Sequence, residues 1–227
     1  MSRPARSRVV LKLGGRVATA AAGRALELHG AGHEVVVVHG AGPQITAELE
    51  RRGIPVAFVD GRRVTDAETI AVVRESLLAV GAEVSAALGP AAVQLTGDEI
   101  GLAARQLPDV GLVGTPVPCR PAAIEAALAA GRIPVVAPLA AGPLNVNADE
   151  AAAALAIGLG ADRVLFVTDV PGVLVDGLVA EQIDASAADR LLADGGLEGG
   201  IVPKLVAAVR AARLGVHAEI GATAVLP

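Results

Sequence analysis

The sequence contains no tryptophan and no tyrosine, and its only phenylalanines are Phe58 and Phe166. Modules that stack nucleic-acid bases on aromatic side chains are therefore disfavoured, and the core has to be built from Val, Leu, Ile and Ala. Cysteine occurs once, as Cys119, so an intrachain disulfide and a cysteine zinc site are excluded. Beyond scattered arginines in residues 1–8, no basic run is longer than a dipeptide, and the formal net charge is −5. That balance leaves no footprint for a phosphate backbone. No apolar run approaches the roughly 18 residues of a membrane span. The stretch 9–13 is too short for a leader and holds Lys12. These absences point to a reducing, cytoplasmic setting with neither nucleic acid nor membrane as partner. Several familiar sites are also missing. There is no GxxxxGK[ST] loop, no HExxH and no GxSxG elbow, and Ile45 stands where a dinucleotide fingerprint needs its third glycine.

Hydrophobic residues make up 53% of the 227, ample for a core in one large domain or two tightly joined lobes. Short, near-continuous apolar runs at 9–13, 34–38, 91–95, 133–137 and 163–167 read as strands covered on both faces. Between them, helical patterns run over 20–29, 44–52, 66–88, 122–130, 148–159, 186–192 and 202–214. The alternation predicts an α/β fold, a three-layer αβα sandwich with a mostly parallel open sheet. Hairpins are expected at 56–64 around Asp60-Gly61, near 101–115, and at 173–179 around Asp176-Gly177. No linker divides the chain. The 66–88 helix is apolar over a wide arc, which implies either deep burial or half burial in a subunit contact.

In such a sheet ligands gather at the carboxyl ends of the strands. Four segments meet there: Lys12-Leu13-Gly14-Gly15, His39-Gly40-Ala41-Gly42-Pro43, Asn145-Val146-Asn147-Ala148-Asp149, and Gly199-Gly200-Ile201-Val202-Pro203-Lys204. Glycines there let backbone N–H groups converge on an anion, and a helix start adds positive character. Either glycine loop taken alone is equally an ordinary βα turn. Lys12 interrupts a buried strand, so it is paired, bound to an anion, or reaches solvent along its stem. Lys204 is a cation in a first helical turn, opposed to the macrodipole, which hints at an anionic partner unless it is a plain surface lysine. Asp149 follows Asn147, a natural cap, and an acid there also suits a purely structural role. Arg63 is suited to a small carboxylate, or else forms a solvated pair with Arg62.

Taken together and in order, these elements resemble the amino-acid kinase family, and within it the N-acetylglutamate kinases, over nearly the whole chain. Asp60-Gly61-Arg62-Arg63-Val64-Thr65-Asp66 and Thr168-Asp169-Val170-Pro171-Gly172-Val173-Leu174 complete the match, with Arg63–Asp66 and Asn145–Asp149 the most discriminating. The resemblance implies transfer of the ATP γ-phosphoryl group to the side-chain carboxylate of N-acetyl-L-glutamate, in arginine biosynthesis, with Mg2+ accompanying ATP. It implies that Lys12 and Lys204 neutralise the migrating group and that Asp149 holds them. Gly40, Ala41, Gly42, Arg63 and Asn145 would meet the acceptor. Lys12, Gly14, Gly15, Thr168, Asp169, Gly172, Leu174 and Lys204 would meet the nucleotide, and no residue would serve as a dedicated metal ligand. It further implies an acceptor-binding and dimerising lobe at 1–160 and a trimmed nucleotide lobe at 161–227. The wide apolar arc of the 66–88 helix points to a homodimer, and under the same resemblance the short stretch before the first strand implies no inhibition by arginine. Two other readings share much of this pattern: a kinase for aminoadipate or glutamate on a carrier protein, and a catalytically silent ligand-binding relative. Ala41 stands between two glycines where the family usually has three in a row.

Overall fold

The computed structural model describes residues 7–14, 21–197 and 199–227. Along the chain lie β1 (Arg8–Leu13), α1 (Ala22–Gly30), β2 (Glu34–His39), α2 (Gly42–Arg52), β3 (Phe58–Val59), β4 (Arg62–Arg63) and α3 (Ala67–Leu88). Next come β5 (Ala92–Thr96), β6 (Ala104–Gln106), β7 (Val113–Pro116), α4 (Ala122–Ala129), β8 (Ile133–Ala137), β9 (Leu139–Ala140), β10 (Leu144–Val146) and α5 (Ala148–Gly158). The chain continues through β11 (Arg163–Val167), β12 (Leu174–Val175), β13 (Leu178–Val179), β14 (Gln182–Asp184), α6 (Ala185–Ala193), α7 (Ile201–Arg213), β15 (His217–Ile220) and β16 (Thr223–Leu226).

The main sheet has the order β14-β16-β15-β11-β1-β2-β8-β5, and only the β15–β16 pair is antiparallel. Side chains alternate across it. Val10, Val36, Val38, Val136, Val164 and Phe166 pack with α4, α5 and α7. Val9, Leu11, Val35, Val37, Val135 and Leu165 pack with α1, α2 and α3. Both faces are covered, which is why the central strands read as unbroken apolar runs. The five expected strands are all present. The edge formed by β14, β15 and β16 escapes an apolar-run criterion because these strands are short and alternate, as in His217-Ala218-Glu219-Ile220. The first expected helix begins at Ala22; Ala20 lies outside the described residues.

Both Asp-Gly hairpins form. Asp60 and Gly61 have φ of 48° and 72°, and Asp176 and Gly177 have 50° and 78°. Two successive positive φ values give the tight turn whose twist suits the flanking strands. The third hairpin pairs β6 with β7 in a small sheet of order β6-β7-β10-β9. Asp66 caps α3 by accepting from the Thr69 N–H. That helix is half buried: Val73, Leu77, Val80 and Val84 face the core, while Leu78 is exposed. Among the described residues, no helix is long and apolar enough to cross a membrane.

Candidate functional site

β1 lies where the strand order turns, with β2 on one side and β11 on the other. Such a switch point opens a crevice at the carboxyl ends of the strands. A cleft of about 1060 Å³ occupies it, lined by the loops after β1, β2 and β11 and by the starts of α2, α5 and α7.

At the centre lie two lysines and one aspartate. Lys12 shares the parity of Val10 along β1, so its side chain turns toward the α5 and α7 layer. Its Nζ stands 2.9 Å from Asp149 Oδ1, an ion pair outside hydrogen-bond geometry. Asp149 is in the first turn of α5, where Asn147 Oδ1 accepts from the N–H groups of Asp149 (2.8 Å) and Glu150 (3.2 Å). Lys204, in the first turn of α7, reaches Asp149 Oδ2 at 3.6 Å and donates to the Gly200 carbonyl at 3.1 Å. All three side chains are buried. Burial pushes the Lys204 ammonium below its ordinary value; Asp149 opposes that shift and Lys12 adds to it. Two cations sharing one anion leave a surplus positive charge with little water, a setting made for a polyanion.

One end of the cleft is an arginine pocket. Arg63 donates to the Thr46 hydroxyl (2.8 Å) and the Gly42 carbonyl (3.3 Å), and its guanidinium lies 4.8 Å from the Phe58 ring centroid. It has no carboxylate partner among the described residues, and burial alone pushes its pKa down. Asn145 Nδ2 donates to Thr65 Oγ1 at 3.1 Å, and that hydroxyl donates to the Arg63 carbonyl at 2.8 Å. The backbone reinforces the link: Leu112 N donates to Thr65 O at 2.6 Å, and Asn145 N to Leu112 O at 2.9 Å. Gly111, at φ 80°, makes that approach possible, because a Cβ there would sit 2.2 Å from Thr65 O. Ala41 is 2% exposed and belongs to the core under α1–α3, so its methyl group is absorbed by packing.

At the other end, Thr168, Asp169 and Gly172 line the cleft from the loop after β11, with Leu174 of β12. The β15–β16 turn fastens this loop. Thr223 Oγ1 accepts from Val173 N (2.9 Å) and donates to Ala180 O (2.7 Å), and a Cβ on Gly172 would lie 2.5 Å from that oxygen. Gly14 lines the cleft and Gly15 lies outside the described residues.

Residues 7–221 match the amino acid kinase family, a span that contains every element around the cleft. The chain belongs to that family. It is 42% identical to the acetylglutamate kinase of Frankia casuarinae (strain DSM 45818 / CECT 9043 / HFP020203 / CcI3), over 95% of this chain and 67% of that protein. The acetylglutamate kinase of Rubrobacter xylanophilus (strain DSM 9941 / JCM 11954 / NBRC 16129 / PRD-1) is 41% identical, over 93% of this chain and 87% of its own length. Among solved structures, smu.665 from Streptococcus mutans UA159 superposes with a TM-score of 0.88 at 30% identity, covering 96% of this chain and 98% of that one. N-acetylglutamate synthase from Neisseria gonorrhoeae, complexed with coenzyme A and N-acetyl-glutamate, has a TM-score of 0.83 at 23% identity, over 97% of this chain and 59% of that one. The latter is a likeness of fold alone.

In this amino acid kinase, every candidate site residue named from the sequence, Gly15 aside, lines the one cleft. Further residues complete the lining. Pro138 follows β8 and was findable by the same strand-end rule as Gly14 and Gly40. Phe58 was findable from the Asp-Gly turn, which sets it opposite Arg63. Leu191 and Leu197 come to the cleft from α6 and the turn after it, a purely tertiary placement. Among the described residues no group of three His, Cys, Asp or Glu could hold a metal ion.

Proposed function

We propose that this chain is an N-acetylglutamate kinase of arginine biosynthesis, transferring the ATP γ-phosphoryl group to the side-chain carboxylate of N-acetyl-L-glutamate. The carrying observation is the buried Lys12–Asp149–Lys204 cluster between an arginine pocket and a glycine-rich loop. The acceptor carboxylate, with an ordinary pKa near 4.3, is ionised at neutral pH, so no general base is needed. The task is to bring two anions into line and offset charge on the moving group. In this reading Lys12 and Lys204 straddle that group and Asp149 fixes their positions. Backbone N–H groups of Gly14, Gly15, Gly40 and Gly42 add donors, with Ala41 between the last two. Arg63 takes the acceptor's α-carboxylate beside Asn145, and Thr168, Asp169, Gly172 and Leu174 border the nucleotide. Mg2+ fits as an ion carried on the ATP phosphates, which suits a metal that binds through few protein carboxylates. When bound it would neutralise phosphate charge.

In the same reading residues 1–160 form the acceptor lobe and 161–227 the nucleotide lobe, with Lys204 reaching across to Asp149. Ala71, Leu78 and Ala82 are exposed apolar residues on one side of α3, and they support a homodimer. The free Cys119 accords with a reducing cytoplasm. A coupled ADP-release assay over N-acetylglutamate, glutamate, aspartate, carbamate and isopentenyl phosphate tests the activity. Turnover confined to N-acetylglutamate is expected; equal or greater turnover of another acceptor overturns the assignment.

A further inference from the structure

The arginine pocket holds two guanidiniums in different electrical states. Arg63 has no carboxylate partner among the described residues. Arg62, beside it on β4, donates through Nη2 to Glu150 Oε1 at 2.7 Å, with both side chains mostly buried. Glu150 in turn sits in the first turn of α5, one residue after Asp149. Arg62 lines the cleft, and its Nη1 is buried without a hydrogen-bond partner, as is Nη1 of Arg63. Arg62 and Arg63 leave opposite faces of β4 and reach different partners, so each brings its own unsatisfied donor to the cleft lining, costly unless an acceptor is supplied there.

The chemistry each would accept differs. A second carboxylate at Arg62 would compete with Glu150, which already neutralises it. A neutral oxygen would satisfy Nη1 without adding charge. A cationic α-ammonium would be repelled by Arg63 and gain nothing from Arg62. We infer that Arg62, held by Glu150, is a specificity-determining residue that donates to the acyl carbonyl on the acceptor's α-nitrogen, so that the pocket selects N-acylated over free or unsubstituted five-carbon diacids. This rests on the acceptor reading proposed above and assigns a separate group of the same acceptor to a separate residue.

Glutarate provides the discriminating probe, since it keeps both carboxylates of N-acetylglutamate and lacks the acylamino group. The quantity to measure is the ratio of kcat/KM for N-acetylglutamate to kcat/KM for glutarate, by ADP release. Arg62→Met should lower that ratio about tenfold or more, the size of a lost hydrogen bond from a charged donor. Arg62→Lys keeps a cation for Glu150 and protects the fold, yet has no second nitrogen to offer, so it should lower the ratio too. Arg63→Met should weaken both acceptors alike and leave the ratio within about twofold. A role for Arg62 as a mere latch between β4 and α5 would depress both acceptors equally. An unchanged ratio in both Arg62 variants of an enzyme active on N-acetylglutamate overturns this inference alone. A wild-type protein that turns over neither acceptor overturns it together with the proposed function.

Discussion

At the centre of the cleft two lysines share one aspartate; at its arginine end two neighbouring arginines divide, one on a glutamate and one without a carboxylate partner among the described residues. The two carboxylates are neighbours, Asp149 and Glu150, and one side chain, Asn147, caps both of their N–H groups. Successive residues of a helix diverge by about 100°, so a single helix start serves two clusters. The clusters use their anion differently. Asp149 contacts both lysines, at 2.9 and 3.6 Å, which spreads the surplus positive charge over the pair. Glu150 contacts Arg62, and Arg63 is left to burial, a hydroxyl, a carbonyl and a ring. A shared charge suits a phosphoryl group that must pass between two oxygens. A divided charge suits recognition, where one donor should meet an anion and the other a neutral oxygen. The supports differ in the same sense. Lys12 is set in the central strand, whereas both arginines ride on a two-residue strand whose hairpin partner, β3, is exposed.

The comparison breaks most visibly at the lysines. Lys12→Ala and Lys204→Ala should each lower kcat by about 10²–10³-fold, the cost of removing one charged donor at a developing charge. Melting temperatures should change far less than activity. Parallel loss of folding and turnover in both variants would reduce the cluster to a structural ion pair.

A pH experiment sharpens the contrast by finding the group that titrates. His39 ends β2 and is fully buried, and among the described residues no side chain hydrogen-bonds its ring. Burial pushes its imidazole from 6.5 down to about 4, with the Gly40 backbone offsetting part of that. Between those values the unfolded chain binds a proton that the native protein does not. Stability is therefore complete above pH 6.5 and falls as the pH drops toward 4, by about 3 kcal/mol in all. Urea denaturation at pH 7.5, 5.5 and 4.5 should show this fall in the wild type and lose most of it in His39→Leu. Parallel pH curves would move the acid sensitivity to the charged clusters.

Arg63→Ala comes next. It should raise the KM for N-acetylglutamate about ten- to a hundredfold, as expected for a lost charge-assisted contact, and leave the KM for ATP nearly unchanged. A rise confined to the KM for ATP would place the nucleotide at the arginine end and reverse the orientation of the cleft.

The lysine cluster is easier to read from the sequence than the arginine end, for physical reasons. A lysine inside an apolar strand, glycines at strand ends and an Asn cap are local conflicts or local geometry, visible without a fold. Strand parity, once the sheet is placed, carries Lys12 to Asp149. Arg63 was readable as a carboxylate binder, yet its surroundings were not. Arg62 and Glu150 lie far apart in the chain, and no periodicity links them. Thr65 reads only as the residue before a helix; its role as the bridge between Asn145 and the Arg63 carbonyl depends on Gly111 closing on it from another element. The β14–β16 edge gives no strand signal in the sequence because its short alternating strands resemble loop. In the sequence His39 reads as the first residue of a glycine loop, and its burial is a property of the layer packed above it.

The smallest effect tests the idea that one cap serves both clusters. Asn147→Ala removes the oxygen that accepts from Asp149 N and Glu150 N, without touching either carboxylate. Loss of an N-cap costs about 1 kcal/mol, so the protein should remain folded, with a slightly lower melting temperature. If the first turn of α5 positions both carboxylates, its loosening should be felt twice: a modest fall in kcat through Asp149 and the lysines, and a modest rise in acceptor KM through Glu150 and Arg62. Asn147→Asp restores the accepting oxygen and should recover most of the lost stability, but it adds a negative charge beside Asp149 that draws on the same two lysines. It should therefore regain acceptor KM more fully than kcat. Should Asn147→Ala change only kcat, or only the acceptor KM, the two clusters are positioned independently and the shared helix start is incidental.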